Sequence, residues 1–215
     1  MFLAVSLMSL SVYLMTEASE PKQYVSSLKM GSFSDIHAEP RYDPETGNDL
    51  FCKPGNTYVQ NMSAIEEFYS NKYAPLGRFF CNPPQILFDM MLQKMKRIQP
   101  HLDVLFITGD FVAHFTNNDR EEPYDPQKYT TLMQVHTNLS SMIQKHMADT
   151  VVIPTFGNND FDLDDEPANE TSKQEFYSRI FKIWFEDHPT NSKKMNLTTI
   201  KPTFMNGGYY RVDIN

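Results

Sequence analysis

Asp103-Val-Leu-Phe-Ile-Thr-Gly-Asp-Phe-Val-Ala-His114 decides the fold. Its first half, Asp103–Thr108, is a short apolar and β-branched run, which reads as a strand buried on both faces. The strand stops at Gly109, which leaves Asp110 at its carboxyl end, where α/β sheets place their ligands. His114 follows four residues on. The same grammar occurs twice more. Leu28-Lys-Met-Gly-Ser-Phe33 is a weaker strand that runs into Ser34-Asp35-Ile36-His37, and Thr150-Val-Val-Ile-Pro-Thr-Phe156 is a stronger one that runs into Gly157-Asn158-Asn159-Asp160. Side by side in one sheet, the strands would bring their polar tips to one point.

The segments between these strands are predicted to be helices. Pro83-Pro84 opens a helix in which Ile86, Leu87, Met90, Met91, Met95 and Ile98 keep a 3.6-residue period, read as the core face, and Pro100 closes it. A second helix is predicted from Gln127 to Met147, with Leu132, Val135, Leu139, Met142, Ile143 and Met147 inward. A third runs from Ser172 to Glu186 around Phe176, Ile180, Ile183 and Trp184. His136, His146 and His188 read as structural histidines. Residues 38–82 and 190–206 read as loops, and Gly207–Ile214 as a further strand. Asp160-Phe-Asp-Leu-Asp-Asp-Glu166 reads as a solvated acidic loop, because it lacks the glycine and terminal glutamate of a calcium loop.

The 215 residues suit one ordinary α/β domain, and a formal charge of −8 argues against nucleic acid or an anionic membrane as the main partner. Residues 1–18 read as a signal peptide, with an uncleaved anchor or a buried N-terminal helix as the alternatives. That route leads to a secreted or lysosomal/vacuolar lumenal protein. The two cysteines, Cys52 and Cys81, are then a disulfide or a pair of core thiols. Sequons at Asn61, Asn138, Asn169 and Asn196 fit the same compartment.

Asp, His and Asn are ligands for divalent metals of borderline hardness, and one carboxylate can bridge two of them. Turn residues that cap helices are the alternative. With that ligand set in hand, Asp35-Ile-His37, Gly109-Asp110 and Gly157-Asn158-Asn159-Asp160 resemble the motifs of the calcineurin-like metallophosphoesterases, over roughly residues 29–215. Phe33-Ser-Asp-Ile-His-Ala-Glu-Pro40 and Thr108-Gly-Asp-Phe-Val-Ala-His114 are similar to those of the acid sphingomyelinase branch, which also holds the vacuolar endopolyphosphatases. Cys52 and Cys81-Asn-Pro-Pro84 fall where that branch has a disulfide.

The resemblance implies an α/β/β/α sandwich, incomplete here at its C-terminal side. It also implies two divalent ions, zinc above all with Mn or Fe as alternatives. Asp35 and His37 would hold the first ion, Asp110 would bridge, Asn158 would hold the second, and His114 would assist the leaving group. The implied substrate is a phosphodiester, including a membrane lipid, or a polyphosphate. Asn159 stands where the family carries a catalytic histidine; an amide donates a hydrogen bond but transfers no proton. The family's later histidine and Gly-His-x-His ligands have no counterpart after His188. A catalytically inactive remnant or binding protein of the same fold is therefore the competing expectation.

Overall fold

The computed structural model describes residues 27–47, 50–55, 73–114, 126–161, 170 and 172–213. Three strands, β1 (Met30–Phe33), β2 (Val104–Ile107) and β3 (Val151–Pro154), form one parallel sheet in the order β1-β2-β3. Met30, Val104 and Val151 stand in register, as do Phe33, Ile107 and Pro154. All three carboxyl ends therefore lie at the same edge. Parallel neighbours need crossovers, which here contain α1 (Gln85–Ile98) and α2 (Pro126–His146); the two helices pack together. The chain is a mixed α/β fold with one small parallel sheet among the described residues; the second sheet of the expected sandwich is not among them.

After β3 come a 3-10 turn (Asn158–Asp160), α3 (Lys173–Phe181) running into a π turn (Lys182–Glu186), α4 (Pro189–Lys194) and α5 (Leu197–Gly207). The helices at 189–207 replace the loop expected over 190–206. Ile200 and Phe204, one turn apart on α5, are buried, and that burial outweighs Pro202 inside the helix. The expected strand at 207–214 is also absent from the described residues. Gly208 closes α5 in the left-handed conformation, and 209–213 run as coil, with the Tyr210 hydroxyl donating to the Pro154 carbonyl at 2.5 Å.

The core joins the strands to an aromatic cluster in which Trp184, Phe111, Phe176, Phe181, Phe185 and Phe204 are almost fully buried. Phe111, the residue after Asp110, packs on Trp184 with ring centroids 4.9 Å apart, so the central tip is anchored from below. The α2 face is the predicted one: Leu132, Val135, Leu139, Ile143 and Met147 are buried and Met142 half-buried against them. The α1 face is not. Phe88 and Leu92 point inward with Asp89, whereas Ile86, Met90, Met91 and Ile98 are exposed. Two apolar stripes on this helix share one period, and the aromatic Phe88, edge-on to Phe33 at 5.2 Å, takes the sheet.

The outer edge of β3 is closed by a side chain. Asn191, fully buried, accepts from the Val152 N–H at 2.9 Å and donates to the Val152 and Trp184 carbonyls at 2.8 Å each. The asparagine thus does the work of a further strand and blunts an edge that could otherwise pair with another chain. Its neighbour His188 is buried and accepts from the Asn191 N–H at 3.4 Å; burial pushes its imidazole down to about 4, so it stays neutral. Cys52 and Cys81 form the expected disulfide, with Cα atoms 5.9 Å apart.

Candidate metal centre

The tips are built on backbone that most side chains avoid. Asp35 (φ 52°), His37 (φ 43°) and Asp110 (φ 53°) all adopt left-handed conformations. Asp and His tolerate that region better than most residues, yet each such placement still costs of order 1 kcal/mol, and such strain gathers at functional sites. Surrounding contacts impose it. His37 N–H donates to the Asp110 carbonyl at 2.8 Å, Asp35 N–H to the Gly109 carbonyl at 3.3 Å, and Ala38 N–H to the Phe111 carbonyl at 2.8 Å. The first two tips are thereby laced together beyond the sheet.

The third tip lies directly on the second. A Cβ on Gly109, itself at φ 97°, would run into the Gly157 backbone nitrogen, and a Cβ on Gly157 would run into the Asp110 carboxylate. Only glycines permit this approach. The Asn159 N–H then donates to Asp110 Oδ1 at 3.0 Å.

Asp160 is the lock. Expected as part of a solvated loop, it is fully buried. Its Oδ2 accepts from the N–H groups of Asp110 at 2.8 Å and Gly157 at 2.9 Å, and its Oδ1 from Phe111 at 2.8 Å and Val112 at 3.2 Å. The reason for the burial is this set of four donors, three of them about fifty residues away in sequence. Burial pushes the carboxyl up to about 7, while the Gly157, Val112 and Phe111 N–H groups pull it back down. Beside it His136 is fully buried, held down to about 3 by burial, and accepts from Trp184 Nε1–H at 3.2 Å. Residues 162–166 of the acidic stretch lie outside the described residues.

On this frame Asp35, His37 and Asp110 each offer a ligand atom, all within 4.8 Å of one another. His37 Nε2 is 3.7 Å from Asp110 Oδ2 and 3.9 Å from Asp35 Oδ1. Those separations are too long for hydrogen bonds and suit three donors arranged around a common cation. Desolvation lowers the His37 imidazole below its usual range; the charge of His114 adds to this, and Asp110 and Asp35 oppose it. The neutral imidazole is the form that binds metal. The donor set therefore fits a divalent ion.

The other expected residues divide. His114 reaches the cluster, its ring stacked on His37 at 4.2 Å between centroids and 14° between planes. Asn158 is exposed and opens the 3-10 turn beside Asp110; Asn159 is buried. Of the sequons, Asn61 and Asn169 lie outside the described residues, as do residues 1–18. Asn138 is half-buried and donates to Gln85 Oε1 at 3.1 Å, whereas Asn196 is exposed before α5 and accepts from its own sequon hydroxyl, Thr198 Oγ1, at 2.7 Å. Asp160 and Asn191 were not singled out from sequence as structural locks. The Gly-x-x-Asp spacing after a strand, with the carboxylate three residues beyond the glycine, is the signal that was there to find for Asp160.

No family model matches the chain. Among curated proteins it is 26% identical over 166 residues to mouse acid sphingomyelinase-like phosphodiesterase 3b, covering 74% of this chain and 32% of that protein. The human protein of the same name matches at 26% over 159 residues, 73% and 30% of the two chains. Sphingomyelin phosphodiesterase A of Dictyostelium discoideum matches at 26% over 131 residues, 59% and 19%. The chain spans about a third or less of the length of these relatives.

Proposed function

We propose that the chain carries the first part of a metal-dependent phosphodiesterase centre, of the type found in acid sphingomyelinase-like proteins. The observation that carries this is the convergence of Asp35, His37 and Asp110 on one point, on strained backbone at the carboxyl ends of a parallel sheet. The names of the three relatives, all phosphodiesterases, support the reaction class.

In this reading Asp35 and His37 would hold one divalent ion, Asp110 would serve both that ion and a second, and the exposed amide of Asn158 would serve the second; zinc is the metal expected. When bound, such ions would supply positive charge for a phosphoryl oxygen and make a water acidic enough to attack phosphorus. The protein's own part is positional. Asp160 fixes the Asp110 turn, the glycine contact fixes Asn158 against it, and His114 stands over His37 to give a proton to the departing oxygen. The Asn159 side-chain nitrogen is buried and has no hydrogen-bond partner among the described residues; in this reading its amide would donate a hydrogen bond but transfer no proton. An amide there leaves His114 as the proton carrier, which favours substrates with good leaving groups; a phosphoanhydride such as polyphosphate is the competing substrate to set beside a phosphodiester. The disulfide and the exposed Asn196 sequon support a secreted or lumenal setting.

The test is hydrolysis of a chromogenic phosphodiester and of polyphosphate by a full-length version of the protein, with and without chelator. Turnover that a chelator abolishes and zinc or manganese restores is expected. Chelator-insensitive turnover, or none with any metal, would overturn the assignment.

A further inference from the structure

His114 is exposed, so packing alone does not hold its ring. Asn82 meets it at three atoms. Asn82 Nδ2 donates to the His114 carbonyl at 3.0 Å, the His114 backbone N–H donates to Asn82 Oδ1 at 3.4 Å, and His114 Nδ1 lies 3.2 Å from the same Oδ1. The backbone decides which way round the amide sits. A carbonyl can only accept and an N–H can only donate, so Nδ2 must face the carbonyl and Oδ1 the N–H. Oδ1, a pure acceptor, then also faces the ring, so the ring nitrogen opposite it must carry the hydrogen.

We propose that Asn82 is a positioning residue of this centre: it keeps the hydrogen of neutral His114 on Nδ1, so that Nε2 is the nitrogen that takes up a proton to form the imidazolium and gives it to the leaving oxygen. The inference rests on the reading of His114 as the residue that serves the leaving group.

The support under Asn82 is consistent with that role. Pro83 follows it and restricts its backbone to extended conformations. The His114 carbonyl also accepts from Lys53 Nζ at 3.4 Å, and Lys53 in turn is buried against Glu39 Oε2 at 2.5 Å. Lys53 and Asn82 are the sequence neighbours of Cys52 and Cys81, so the disulfide ties together the two side chains that grip His114. A bridge that closes a loop on one side of the site thereby sets a side chain at its centre.

The experiment is long-range nitrogen–proton NMR of the whole chain labelled with 15N-histidine, without metal, at a pH where imidazoles are neutral. His114 is assigned by its loss in His114→Gln. The wild-type signal is expected as Nδ1–H, against the Nε2–H form that an unconstrained histidine prefers. Asn82→Ala should return it to Nε2–H, and Asn82→Asp, which keeps the acceptor oxygen, should preserve Nδ1–H. Wild-type His114 found as Nε2–H overturns the proposal without any variant, and so does an Asn82→Ala spectrum with the tautomer unchanged. Where turnover is measured, Asn82→Ala should lower kcat roughly tenfold to a hundredfold with KM little changed; an unchanged kcat counts against it. The tautomer is read without metal or substrate, so its failure is distinct from failure of the phosphodiesterase reading.

Discussion

Replacing Asp160 with asparagine changes one oxygen into an NH2 group and leaves size and shape nearly untouched. The consequence follows from the donor count. Each carboxylate oxygen accepts two backbone N–H groups, Asp110 and Gly157 on one side, Phe111 and Val112 on the other. Whichever way the new amide turns, two N–H donors face a third donor. An unsatisfied buried donor costs about 1–3 kcal/mol, so two cost about 2–6 kcal/mol. Removal of a buried charge acts the other way, because burial already pushes this carboxyl up to about 7. We expect a net loss of about 2–4 kcal/mol, a large part of the stability of an ordinary domain. The assay is urea unfolding at pH 8, above that value, so that the wild type is ionised. The midpoint should fall clearly, with a melting temperature lower by roughly 5–15 °C. An Asp160→Asn midpoint equal to wild type would refute the claim that this carboxylate clamps the second and third tips.

Two other substitutions test the frame. Asn191→Ala strips two hydrogen bonds from Val152 at the β3 edge and one from the Trp184 carbonyl, and should cost about 3–6 kcal/mol in urea unfolding, with a rise in self-association as the edge opens; a loss under about 1 kcal/mol would show the edge is held otherwise. Asp89 joins α1 to α2, accepting from His146 at 2.7 Å and Lys145 at 3.3 Å. The His146 hydrogen bond holds its carboxyl below the ordinary 3.8, with burial opposing. Its stabilising contribution is therefore present above 3.8 and lost as pH falls through the lower folded value. Wild type should exceed Asp89→Asn by about 1 kcal/mol at neutral pH, and the gap should close in acid; a gap that widens in acid would contradict this.

What the sequence revealed depended on how local the cause was. β2 and β3 are buried apolar runs that stop at glycine, so their existence, their ends and the ligand-bearing turns beyond them were all legible. So was the α2 face, whose outer side is polar. The α1 face was misread because Ile86, Met90 and Met91 are as apolar as Phe88 and Leu92; only contact with Phe33 distinguishes the two stripes. α5 was hidden by Pro202, since its stability comes from seating Ile200 and Phe204 in the aromatic core. The Gly-x-x-Asp spacing marks the Gly157 donor to Asp160, but its other three donors lie about fifty residues away and leave no local mark. Asn82 was quoted only as part of a motif, because its partner is a loop histidine 32 residues on.

Titration of the purified, metal-stripped chain with zinc and with manganese by isothermal calorimetry, alongside Asp110→Ala, bears most directly on the whole account. The wild type should bind saturably, and the loss of Asp110 should weaken binding by more than about a hundredfold. Equal binding by the two proteins, or none by the wild type, would mean that Asp35, His37 and Asp110 meet for some reason other than a cation.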